Sequence, residues 1–353
     1  MILNEKDLPW LAEPLAQLRD GARGHALILH GRGQSGLLSL AFRLAQAWLC
    51  EQPPGPCDQC PSCHLSLAGS HGDLKVLMPE THQQALRWGG GAEEGESDVS
   101  DGESKSKRKP SREIRVEAIR QAIAWAHSSS ARGRGKMLVL YPADAMNVVA
   151  ANALLKTLEE PAPGMRILLC VEDPERLLPT IRSRCQRAAV PLPTPDAALA
   201  WLKAKGVDEP ETLLRAAGGE PQAALALLEA GLPAAAWHAI PARVAAGDAS
   251  ALAGLNLPVA VRLLQQLCHD AMAVLAGAPP QYFPPGSVPM PANWVRLNAW
   301  QAALLKAARH DEHPWNAPLL LEALVAQAHA TFARKAMGPG RAAARPGLAT
   351  LPL

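Results

Sequence analysis

Four cysteines, Cys50-x6-Cys57-x2-Cys60-x2-Cys63, are the residues in this chain whose type and spacing point most directly to chemistry. Thiolates so spaced can close a tetrahedral zinc shell that leaves no position for substrate water, which makes the site structural rather than catalytic. Buried free thiols and an iron–sulfur cluster are the alternatives. His64 and His71 lie near enough in sequence to replace a cysteine, but a lone histidine there reads more simply as a surface residue. Cys170, Cys185 and Cys268 are scattered and complete no second set. The segment Met1 to Asp7 lacks a basic stretch followed by an apolar core, so no export signal is expected, and clustered thiols in a reducing compartment read as metal ligands before disulfides.

A second group resembles a phosphate-binding loop from which the working side chains are missing. Gly31 and Gly36 stand at the separation of Gly-x4-Gly-Lys-Ser/Thr, with Gly33 between them. A functional loop of this kind cradles phosphates on backbone N–H groups, reaches the outer phosphates with its lysine and holds magnesium through the hydroxyl. Here the lysine and hydroxyl positions are Leu37 and Leu38. A plain glycine turn is the alternative. Further on, Tyr141-Pro142-Ala143-Asp144-Ala145-Met146 stands where an ATPase carries an Asp-Glu pair: Asp144 remains, and the glutamate position is Ala145. Two catalytic elements eroded together predict an ATPase fold kept for its shape, with no productive ATP binding.

These residues need a scaffold, and the hydrophobic pattern predicts one. Short apolar runs at Ala26–His30, Asp73–Met78, Lys136–Tyr141, Arg166–Val171 and Gln186–Val190 read as buried strands. They alternate with helical patterns at Leu37–Leu49, Val116–Ser128 and Asn147–Glu159, which predicts an α/β domain on a mostly parallel sheet over residues 1–190. The Pro-rich hinge at 191–195 opens an all-helical remainder: a small domain over 191–235, a second over 236–337 and a frayed tail over 338–353. The insertion 89–111 runs from Glu93 to Glu103 acidic and from Lys105 to Lys109 basic, which predicts a solvated disordered loop, with a nucleic-acid arm as the sharper alternative. With 353 residues, 48% hydrophobic and 19% charged, the chain is globular rather than disordered, and no apolar run reaches the ~20 residues of a membrane span. A net charge of +2 gives no general sign of nucleic-acid binding.

Two further stretches, Ala151-Asn152-Ala153-Leu154-Leu155-Lys156-Thr157-Leu158-Glu159-Glu160-Pro161 and Asp173 through Ile181-Arg182-Ser183-Arg184-Cys185, resemble bacterial DNA polymerase III clamp-loader subunits of the AAA+ superfamily. His71-Gly72-Asp73 after the cysteines is similar to the same family. An eroded phosphate loop with the cysteines kept matches its delta-prime branch rather than the ATP-hydrolysing gamma and tau branch. The resemblance covers 8–190 well and 191–230 moderately.

The resemblance implies an AAA+ domain with an inserted zinc loop at 50–63, a helical lid at 191–235 and an all-α collar at 236–337. It implies a non-hydrolysing stator that joins gamma/tau and delta in a ring and helps load the sliding clamp on primed DNA. That places the chain in a cytoplasmic DNA-directed DNA polymerase holoenzyme, away from membranes, with structural Zn2+ as its cofactor. Arg184, within Ser183-Arg184-Cys185, is implied as an arginine finger for ATP on the neighbouring subunit; a planar, permanently charged fork suits developing phosphate charge. The implied sensor positions fall at Val171 and Gln222, and neither side chain can act as the family's sensor. Competing readings are a divergent ATPase that uses Lys136 or Lys156, and a zinc-bearing DNA-binding regulator.

Overall fold

The computed structural model describes residues 7–32, 36–86, 110–309 and 316–333; Gly33, the tail 338–353 and all of the insertion 89–111 but Pro110 and Ser111 lie outside them. The contacts divide the chain into two units, Met1–Ala198 and Leu199–Leu353.

In the first unit the five expected strands form: β1 (Ala26–His30), β2 (Leu74–Leu77), β3 (Lys136–Leu140), β4 (Met165–Val171) and β5 (Gln186–Ala189). Their order is β2-β3-β4-β1-β5, and each pairing among the described residues is parallel. Apart from His30, Lys136 and Arg166 near their ends, the residues of β1, β3 and β4 are apolar because both faces of a parallel sheet are covered. One face, with Ile28, Leu138, Leu140, Ile167 and Leu169, packs in a cluster with Ile119, Leu154 and Leu158 of α5 (Val116–Ala126) and α6 (Val148–Glu159). Against the strands also lies α2 (Leu37–Leu49), which touches β1, β3 and β4 and is flanked by α1 (Ala12–Gly21) and α3 (Pro61–Leu67). Short helices α4 (Glu80–Leu86) and α7 (Pro179–Arg182) complete this unit. Its loops after β1, β3 and β4 gather at one edge of the sheet, the carboxyl edge at which open α/β sheets bind ligands.

The helices that follow are α8 (Pro195–Ala204), α9 (Pro210–Ala216), α10 (Pro221–Glu229), α11 (Ala234–Ala245), α12 (Leu257–Leu275), α13 (Trp294–Arg309) and α14 (Ala317–Phe332). Among the described residues from 199 onward, one apolar cluster runs from Ala216 and Leu232 through Trp237 to Phe332. Trp237 stacks on Phe283 with ring centroids 4.6 Å apart. The wholly buried Asp270 carboxylate accepts the backbone N–H groups of Gln281, Tyr282 and Phe283, each at 2.8 Å, and so fixes the chain that carries Phe283. No single helix among the described residues is long and apolar enough to cross a membrane.

The His71-Gly72-Asp73 stretch is a second carboxylate anchor, in the first unit. Buried Asp73 accepts hydrogen bonds from the Ala131 and Arg132 amides at 2.9 and 3.0 Å and from the Ser130 hydroxyl at 2.9 Å. Burial pushes its pKa up, but these donors outweigh it and hold the carboxyl below its ordinary value. A depressed folded pKa means that the stabilisation is present above about pH 4 and is lost as pH falls through the folded value. Asp73→Asn is expected to destabilise the protein by about 1–3 kcal/mol near neutrality. In urea unfolding the gap to wild type should narrow from pH 7 toward pH 3; a gap that stays constant over that range rules out the ionised anchor.

Candidate functional site: a four-thiol centre, two buried leucines and a held arginine

The four cysteines come together although they are spread over a helix end, a loop and a second helix. Cys50 caps the C-terminus of α2, and Gly55 turns the chain back at φ +47°, where an added Cβ would lie 2.6 Å from the Cys50 Cβ. Cys60 is the N-cap of α3 and Cys63 sits in its first turn, rather than on the loop that the prolines predict; Pro61 at the first helical position was the available signal. All four Sγ atoms lie within 4.8 Å of one another, with Cys50–Cys60 and Cys57–Cys63 both at 3.9 Å. A tetrahedron with metal–sulfur bonds of about 2.3 Å has edges near ~3.8 Å, whereas a disulfide needs about 2.05 Å, so the spacing fits a shared metal and not disulfides.

Electrostatics agrees with that geometry. Backbone N–H donors, from Gln59 first, lower Cys57 to about 7, while burial raises Cys50 and pushes Cys63 up to about 12. At Cys60 burial also opposes ionisation, but the amides of Glu51 and Cys63 prevail and lower it. Thiols this close cannot all ionise unless a cation lies among them. A support shell is present: Gln46 donates to the Cys63 carbonyl at 3.3 Å, and buried Arg43 holds Asp58 at 2.9 Å. His71 is not a ligand: its Nδ1 accepts from the Asp73 amide at 3.0 Å, so Nε2 carries the proton to Ser62 Oγ at 2.8 Å. His64 is held by the Asp58 carbonyl at 3.1 Å.

At the carboxyl edge of the sheet, Gly31 follows β1 and Gly36, at φ +91°, leads into α2. Leu37 and Leu38 are both buried. Beside Leu37 is a cavity of about 180 Å³, lined by Tyr141, Asp144, Val171, Arg176 and others. That is below the roughly 300 Å³ at which small-molecule pockets begin. Asp144 lies on a 3-10 turn with Ala145, and its carboxylate is taken by Arg176 at 2.7 Å. Arg176 comes from a different loop, and sequence reasoning missed it. Val171 ends β4 as a fully buried apolar wall.

Lys136, the alternative phosphate ligand, starts β3 at the opposite edge and is engaged there by the Trp125 carbonyl at 2.9 Å and Ser128 Oγ at 2.6 Å. Lys156 is exposed on α6. Gln222 lies on α10 in the second unit, half-buried.

Arg184 follows α7, and its head is held on two sides. Nε donates to Glu159 Oε1 at 2.7 Å and NH2 pairs with the same carboxylate; NH1 donates to the Thr180 carbonyl at 2.9 Å and to Ser183 Oγ at 3.2 Å. Ser183 Oγ in turn donates to the Thr180 carbonyl at 3.1 Å, so the serine positions the arginine. Cys185 packs against the sheet cluster, and burial pushes its thiol up to about 12, an inert packing residue.

The family model for "DNA polymerase III, delta subunit" matches residues 12–193, about half of the chain and nearly all of the first unit. DNA polymerase III subunit delta' of Pseudomonas aeruginosa is 38% identical over 60% of this chain and 58% of its own length. The delta' subunit of Escherichia coli K12 is 32% identical over 76% of this chain and 77% of that protein. A solved gamma subunit-related DNA polymerase III protein from Thermotoga maritima aligns with 91% of this chain and 99% of its own at 17% identity and a TM-score of 0.46. The family-model match runs through the four cysteines, the Gly31–Leu38 stretch and Arg184 alike, and with these relatives it shows that the chain belongs to the DNA polymerase III delta-prime family.

Proposed function

We propose that this chain is the non-hydrolysing stator of a cytoplasmic clamp loader, assembled with gamma/tau and delta subunits, and that it lends Arg184 to ATP held by the neighbouring subunit. In this reading the helical segments 191–235 and 236–337 act as lid and collar, and the complex places the sliding clamp on primed DNA. The observation that carries the proposal is the contrast within one unit: buried Leu37 and Leu38 and an Asp144 neutralised by Arg176 leave this chain no means of holding Mg-ATP, while the Ser183-Arg184-Cys185 segment is intact and surface-placed. A lone finger without its own phosphate site has use only on another chain's nucleotide. An arginine finger is worth about 10³–10⁵ in rate at the site it completes. Arg184→Ala is therefore expected to leave assembly with gamma/tau and delta unchanged and to remove that one site's share of the DNA-stimulated ATP turnover. Purified complexes of matched mass with unchanged turnover eliminate the finger role.

The metal of the four-thiol centre is Zn2+ in this reading. Cys50, Cys57, Cys60 and Cys63 supply a closed, charge-matched set, and zinc bound there crosslinks the end of α2 to the start of α3. Elemental analysis of the purified chain should give about one zinc per molecule. Cys60→Ser, or a strong chelator, should release it and lower the melting temperature without changing the stator's inability to hydrolyse ATP. Iron in place of zinc, or a melting temperature indifferent to metal loss, contradicts this assignment.

A further inference from the structure

We infer that Glu159 is a latch on Arg184: its carboxylate occupies the edge of the guanidinium that must meet the neighbour's triphosphate, and ATP binding has to displace it. The inference rests on the finger reading above. A guanidinium has five N–H donors. Arg184 spends both of those on NH1 on the Thr180 carbonyl and Ser183 Oγ, which belong to its own turn. The Nε–NH2 edge is the side with two parallel donors free of that turn, the edge suited to bidentate capture of a phosphate. Glu159 takes this edge, although the pair is partly open to solvent, with side chains 34% and 49% exposed.

Neighbouring charges make the pairing selective. Arg182 and Arg187, on either side, both turn to Glu175. Glu159 is the last residue of α6, which packs against α7, so the carboxylate and the arginine just beyond α7 are presented side by side within one compact unit. Swapping Glu159 for a γ-phosphate exchanges one anionic partner for a more highly charged one and needs no backbone change at Arg184. Held in this way, the arginine stays oriented and paired until a stronger anion arrives. The latch raises the ATP concentration needed to engage the finger without altering the engaged state.

The test is a set of four reconstituted loaders: wild type, Glu159→Gln, Arg184→Ala and the double variant, assayed for DNA-stimulated ATP turnover against ATP concentration. Breaking a partly exposed ion pair should lower the half-saturating ATP concentration by roughly 1.5- to 5-fold, with the maximal rate unchanged. In the Arg184→Ala background Glu159→Gln should have no effect, because the carboxylate acts only through the arginine. A higher half-saturating concentration or a reduced maximal rate from Glu159→Gln overturns the latch and makes Glu159 a brace. An equal shift in both backgrounds also overturns it, with the finger left standing. Full turnover in Arg184→Ala alone refutes the finger itself, a failure that the single variant separates from that of the latch.

Discussion

Burial of α2 is the constraint on which the first unit depends. Every residue of this helix except Trp48 is buried, including the polar Ser39, Arg43 and Gln46. Its N-terminus is the stretch that a nucleotide-binding protein of this topology keeps open for phosphate, with the dipole and free amides facing the ligand. Here Leu37 and Leu38 close that end into the core, each contributing about 1.5–3 kcal/mol by leaving water. The same substitution that removes the phosphate chemistry therefore strengthens the packing. A lysine and a hydroxyl at these positions would need a nucleotide, water or a counter-ion for company; two leucines need only the sheet beneath them. The packing at this end closes on the chain's own side chains.

At the opposite end of α2 the same rod carries Cys50, and its buried Arg43 and Gln46 face the thiol loop. Arg43 reaches Asp58 beside Cys57, and Gln46 reaches both Asp58 and the Cys63 carbonyl. The loop from Glu51 to Cys60 has few apolar side chains of its own. It is ordered by hydrogen bonds from α2 and by four sulfurs drawn to one point, so its conformation depends on the helix that the leucines pin. Phosphate loop and thiol centre, separate in the sequence, are two ends of one buried element.

The sheet was legible in the sequence because its central strands are covered on both faces and read as unbroken apolar runs; the bounds of β1 and those of the observed strand coincide. The thiol centre was legible because its ligands are local and their spacing carries the geometry. Less visible were α11, which contains Pro241, and the short α1, α3 and α4, where proline or mixed polarity masks the helical period. The pairs Arg176–Asp144 and Arg184–Glu159 had no sequence signal at all. Each joins residues from different loops or helices, and any of several nearby arginines and carboxylates satisfies the composition. Only the fold selects among them.

Under the proposed function, those two pairs would let a chain give up one half of a catalytic apparatus and keep the other. A carboxylate at the Asp144 position, largely shielded at 9% exposure, needs a cation beside it. Magnesium is one solution and a guanidinium is another; Arg176 supplies the second, so Asp144 persists as part of a stable ion pair after its metal chemistry has gone. As the proposed finger, Arg184 poses the reverse problem, a cation that would have to be available outside the chain without roaming. Glu159 and Ser183 hold it at the surface, where a pair of this exposure is weak in water. Solvent reaches the two pairs differently: Asp144 is 9% exposed beside a 64% exposed Arg176, whereas Arg184 and Glu159 are 34% and 49% exposed.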